Sequence, residues 1–297
     1  MSKKPELILK NLSKKKRLFN KYKDDILRMS NRLMEQLEEP IKVHINIVDC
    51  LESQSPIFNT SIDGNVQYQG HRSFVINILV SSLENVEKDD GLSLCAIIAH
   101  EFAHINDRLM FLNSELPFLR KIENKPRTYK EFLRNVGYDF WTEFYAYRFM
   151  FINYKEVRYS SFLELVKQYE YINKQKEEIL PYLKESSKHE NELAEYCETV
   201  ITFVYLIARY LAGEFYGQKK YYEYSEITSS KPSFVYLDRL LDKTSKKLVP
   251  MLNDKMGKRK ANAIMNLGYH FIENFYSKFN MDAAKKDGYF FFAVYDE

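Results

Sequence analysis

The sequence predicts an α+β fold that is mainly α, with a small sheet in the N-terminal half and a large helical portion. Three observations predict it. Glycine is scarce, 9 in 297 residues, while tyrosine and phenylalanine number 23 and 21. Together with long Lys/Glu/Leu-rich stretches, this favours helices over a turn-rich all-β chain. Ile41, Val43, Ile45 and Ile47 alternate with Lys42, His44 and Asn46, the period of a half-buried strand. Beyond Pro126, apolar residues recur at helical spacing through most of the remaining chain.

The elements follow in order. Residues 5 to about 38 read as one helix, because Leu7, Ile8, Leu12, Leu18, Ile26, Leu27, Leu33, Met34 and Leu37 recur at roughly helical spacing and Pro40 closes the pattern. The strand at 41–47 follows. Pro56 and Asp63-Gly64 mark a turn-rich segment with a hairpin signal. Val66, Tyr68 and the run from Phe74 to Val80 supply further strands. Asp89-Asp90-Gly91 breaks the chain before a helix from about Leu92 to about Leu112. Further helices are expected at about 128–153, 159–178, 190–216, 233–249 and 258–280. The apolar tail Tyr289–Tyr295 reads either as a short strand or as a plug on the core. No internal repeat or low-complexity linker divides the chain. Residues 1–155 are expected to form the core region, with 156–297 a helical region packed on it as one structural unit.

Composition narrows the function classes. Hydrophobic residues make up 45% of the chain, enough for a sizeable core. The 44 basic and 41 acidic residues balance to +3, which gives no global electrostatic reason to bind nucleic acid or a membrane. The basic run Lys14-Lys15-Lys16-Arg17 and the cluster Lys255, Lys258, Arg259 and Lys260 read as solvated helix faces. The most apolar stretch, Val200–Ala208, meets Arg209 and is too short to span a bilayer. Cys50, Cys95 and Cys197 are odd in number and widely spaced. They read as reduced cysteines, at least one of them buried, and not as a disulfide framework. The opening residues hold no apolar run of signal-peptide length. A cytoplasmic location is the expectation.

Residues 100–104 read His-Glu-Phe-Ala-His within an apolar helical run. On a helix, His100 and His104 stand one turn apart on one face, so two imidazoles can reach one metal ion. Glu101 sits about 100° round the helix. There it can take a proton from a metal-activated water without itself binding the metal. With six histidines in the chain, a chance His-Glu-x-x-His is on the order of 1%, so the motif is read as a site. Catalytic zinc usually has a third protein ligand. Asp107 and Met110 stand where a longer motif would carry glycine and a third histidine. The candidate is Glu143, a carboxylate in an aromatic-rich helix where an unpaired acid would be costly. Asp139, one turn earlier, is its rival or a partner for a histidine, and Asp107 is a further partner candidate.

His100-Glu101-x-x-His104, followed by a helix carrying Glu143-x-x-Ala146, resembles the gluzincin branch of zinc peptidases. The strand before the motif and the Glu-x-x-Ala-x-x-Phe order also look loosely like cytoplasmic regulatory peptidases of the ImmA/IrrE type. The resemblance spans about residues 70–152. Tyr147 stands four residues after Glu143, where many gluzincins have aspartate. The resemblance implies a zincin-like core over 1–155, one Zn²⁺ held by His100, His104 and Glu143, and Glu101 as general base. A protein or peptide substrate is implied as partner. It also implies an oxyanion donor, for which Tyr145, Tyr147, His71 and His270 are candidates. The competing expectation is a zinc-binding regulatory or protein-interaction module on the same scaffold, with little or no turnover. A basic-face nucleic-acid binder is disfavoured by the +3 charge.

Overall fold

A computed structural model of the chain describes residues 5–37, 40–51, 64–69, 72–112, 125–157, 161–215, 232–252 and 257–295. In chain order the elements are β1 (Glu6–Asn11), α1 (Lys16–Glu35), β2 (Lys42–Val48), β3 (Gly64–Tyr68), β4 (Ser73–Leu79), α2 (Val80–Glu84) and α3 (Leu92–Leu112). Then come α4 (Tyr129–Asn153), α5 (Phe162–Ile179), α6 (Glu190–Phe215), α7 (Pro232–Leu248), α8 (Lys258–Asn274), β5 (Met281–Lys286) and β6 (Tyr289–Val294). Among the described residues the chain is mainly helical with a small sheet in its N-terminal half, the α+β class that the sequence predicts. The chain divides into two compact units. One comprises Met1–Asn113 with Tyr145–Arg158, the other Ser114–Phe144 with Tyr159–Glu297.

In the first unit, four strands lie in the order β1-β2-β4-β3, with β1, β2 and β4 parallel and β3 antiparallel. Val43, Ile45 and Ile47 of β2 and Phe74, Ile76 and Ile78 of β4 are fully buried on one face. They join Ile26, Leu33 and Met34 of α1 and Leu94, Ile98, Phe102, Ile105 and Leu109 of α3 in one core. Each such side chain contributes roughly 1.5–3 kcal/mol by leaving water. On the alternate positions, Asn46 donates to Asn77 (3.0 Å) and Asn77 donates to Asn65 (2.9 Å). This amide ladder links three strands. Lys15 is paired with Glu84 and Lys21 with Glu87, so part of the basic N-terminal face is matched by acids within the unit.

The helix expected from residue 5 begins instead at Lys16. Residues Glu6–Asn11 form an edge strand, with Leu7 beside Val43 and Leu9 beside Ile45. A short apolar run such as Leu7-Ile8-Leu9 fits either period, and pairing to β2 decides it. The break is local: Asn11 Oδ1 accepts from the Ser13 amide (3.0 Å) and Ser13 Oγ accepts from the Lys15 amide (3.3 Å), turning the chain just before the helix starts. Asp63 lies outside the described residues, while Gly64 opens β3.

In the second unit, α4 and α8 meet backbone to backbone at Gly137 and Gly268. A Cβ on Gly137 would stand 1.9 Å from the Ile264 carbonyl oxygen, and one on Gly268 1.8 Å from that of Leu133. The last expected helix, 258–280, stops at Asn274. A 3-10 turn over Tyr276–Phe279 and a left-handed Asn280 (φ 54°) lead into β5. The apolar tail is a strand: β6 pairs with β5 across Asp287-Gly288, both at positive φ (51° and 83°), as a two-residue hairpin turn requires. Phe292 of β6 also packs on Phe132 (centroids 4.9 Å) and Tyr276 (4.3 Å).

Candidate metal centre

Helix α3 is buried along most of its length, with Ser93 exposed and Leu92, Cys95, Ile97, His100, His104, Asn106 and Met110 half-buried, so most of it sits in the core. The His100 and His104 rings stand edge to face, centroids 4.7 Å apart at 80°. Their Nε2 atoms are 3.1 Å apart. A ligand atom of each histidine and a carboxylate oxygen of Glu143 on α4 all lie within 4.8 Å of one another. No second such group of His, Cys, Asp and Glu occurs among the described residues. Asp139 is not part of this group.

The residues fit a metal ion by donor chemistry and spacing. Two imidazole nitrogens and one carboxylate oxygen form a donor set suited to zinc and related first-row ions. Two bonds of about 2.05 Å reaching across 3.1 Å would subtend roughly 100°, close to a tetrahedral angle. All three residues are half-buried. They could hold a metal ion.

Glu101 is only 5% exposed. It lies against the start of β3: a Cβ on Gly64 would stand 3.1 Å from Glu101 Oε1. Asp139 remains open to water although protein crowds its carboxyl. That crowding, and then the Glu143 charge one turn away, push its pKa up.

The oxyanion candidates fall differently. Tyr147 stacks at a tilt on His100, centroids 4.5 Å apart. The Tyr145 hydroxyl accepts from Asn106 Nδ2 (2.8 Å). Burial, and then the charge of the fully buried Asp107, push its pKa up to about 12, so the phenol keeps its proton at neutral pH. His270 is a buried histidine of the second unit, bonded to Thr244 (3.0 Å) and Asn274 (3.3 Å). His71 lies outside the described residues. The described cysteines are free: Cys50 is exposed, while Cys95 and Cys197 are half-buried, where at least one buried cysteine was expected.

Three further residues carry no motif of their own. Gly64 backs Glu101. Asn106 holds the Tyr145 hydroxyl. Arg108, buried one turn beyond His104, lays its guanidinium 4.9 Å from the Tyr68 ring. The signals available were slight: a glycine read as part of a turn, and the i+4 spacing of Arg108 from His104. Compared with known proteins, the chain matches no family model, no curated protein and no solved structure. No helix of the described residues is long and apolar enough to cross a membrane.

Proposed function

We propose that this chain is a zinc-dependent peptidase that hydrolyses a peptide bond in a protein or peptide substrate. The observation that supports it most is the gathering of His100, His104 and Glu143 ligand atoms within 4.8 Å of one another, with Glu101 at the next position of the same helix. A purely structural metal site has no need of that extra carboxylate. The resemblance of the motif to the gluzincins supports the same reading.

Zinc, when bound, lowers the pKa of a water molecule and polarises a carbonyl oxygen. His100 and His104 would hold the ion from one helix and Glu143 from another. Tyr147 restricts the tilt of the His100 ring by packing on it. Glu101 takes the proton of the attacking water on its carboxylate and returns it to the leaving amine nitrogen. Its burial keeps competing solvent from that carboxylate. The free cysteines fit a reducing compartment, and the cytoplasm is the one proposed.

The test is metal analysis of the purified chain joined to fragment identification in cell lysate. About one zinc per chain is expected. Glu101→Gln should keep the zinc and lose cleavage by about 10²-fold or more. Glu143→Ala should lose zinc. Cleavage that persists in Glu101→Gln removes Glu101 as base. Wild-type zinc content in Glu143→Ala removes it as third ligand.

A further inference from the structure

Gly64 is a strand glycine without a backbone reason. Its φ is not in the left-handed region, unlike Gly91 and Gly288. It opens β3, is buried, and pairs with Ile78 of β4. A glycine in a strand gives up side-chain packing and conformational entropy. Such a position usually marks a close approach by another group. Here the approaching group is Glu101. A Cβ on Gly64 would stand 3.1 Å from Glu101 Oε1, 3.1 Å from Ile97 Cγ2 and 3.3 Å from the Asn77 carbonyl oxygen. The last of these is backbone and Ile97 is packed against the core, so neither yields readily. The Glu101 carboxylate is at the end of a flexible side chain and would move first.

We infer that Gly64 is a positioning residue for Glu101: the missing side chain leaves the space in which the carboxylate lies against β3, and any larger residue displaces it. The catalytic consequence rests on the peptidase reading above. The contact itself does not, because it is made by atoms of the chain alone. Alternate residues of β3 share a face, so Val66 and Tyr68 continue the row that Gly64 opens, and Tyr68 meets Arg108 of α3. β3 thus lies along the motif helix, and its one residue without a side chain is the one opposite the proposed base.

The test is a double-mutant cycle between Gly64→Ala and Glu101→Ala in the full chain, read by thermal melting with and without a chelator. Gly64→Ala should lower the melting temperature by a few degrees in the wild-type background and by clearly less in the Glu101→Ala background, where only the contacts with Ile97 and the Asn77 carbonyl remain. The isosteric Glu101→Gln background should retain the full loss. If Gly64→Ala alone does not fold, recovery of folding by Glu101→Ala is the supporting result. Additive shifts overturn the inference. In the turnover arm, Gly64→Ala should cut kcat more than tenfold with zinc content and KM kept. Unchanged kcat beside a coupled melting cycle also overturns it, since the contact would then be packing alone. Absence of turnover in the wild type overturns the peptidase reading, and the melting cycle still decides the contact.

Discussion

At the scale of single residues, His270 shows how a histidine outside the motif is accounted for. Thr244 Oγ1 donates to the Leu240 carbonyl (2.8 Å), so it must accept from His270 Nε2 (3.0 Å). Nδ1 then accepts from Asn274 Nδ2 (3.3 Å). The ring is neutral with its proton on Nε2, and a second proton would face the Asn274 amide donor. Burial, and then the charges of Lys247 and Lys243, push its pKa down from 6.5 to about 4. The unfolded chain therefore binds a proton that the folded chain refuses. Stability is complete above about pH 6.5 and is lost as pH falls toward 4, by up to roughly 3 kcal/mol. Urea unfolding of wild type and His270→Gln across that range checks it. The wild-type midpoint should fall with acid more steeply than the variant's, and parallel curves would remove His270 as the cause.

At the scale of elements, the α4–α8 crossing is the tightest constraint. Glycine inside a helix costs about 1 kcal/mol relative to alanine, yet Gly137 and Gly268 face each other where the two backbones touch. A methyl group at either would stand under 2 Å from a carbonyl oxygen, and a carbonyl oxygen cannot rotate away. Gly137→Ala and Gly268→Ala should each destabilise by on the order of 3 kcal/mol. The double variant should cost much less than their sum, since the first methyl already parts the helices. Thermal melts of the three variants test this, and stability kept in either single variant would contradict the crossing. The same helix α4 also carries Glu143 and Tyr147, so a site-bearing element is partly anchored by a contact less than two turns before Glu143.

At the scale of the whole molecule, binding of a metal ion by His100, His104 and Glu143 would be linked to folding. The three candidate ligands come from positions 100, 104 and 143, and an unfolded chain does not hold them together. A bound ion therefore stabilises the folded chain, by about 2.7 kcal/mol at a hundredfold excess over Kd. With the zinc proposed above, a chelator should lower the melting temperature by several degrees, and adding zinc back should restore it. Identical melting with and without chelator would count against a site formed by the folded chain. The formal charge of +3 is spread over surfaces where basic residues such as Lys15 and Lys21 already have acidic partners.

The local features were legible in one dimension because their signals are local. The spacing of His100 and His104 depends only on helical pitch, and the bounds of α3 and α4 follow from apolar periodicity and the flanking Gly91 and Pro126. Glu143 stood out as an acid among aromatics, but its sequence left Asp139 as a rival on the same face. Only the packing of the chain brings Glu143 and not Asp139 within reach of both histidines. The strand at Glu6–Asn11 was illegible for a related reason: three apolar residues satisfy either period, and pairing with β2, more than thirty residues away, decides between them. The place of Gly64 is the plainest case. Its sequence neighbours say turn, while its role against Glu101 depends on two segments whose separation along the chain carries no trace of their contact. What the sequence by itself determined is the helix that bears the two histidines and Glu101, because those positions are set by hydrogen bonds four residues apart. What only the tertiary structure decided is which distant groups meet them, because burial of apolar faces, which has no fixed sequence spacing, sets those distances.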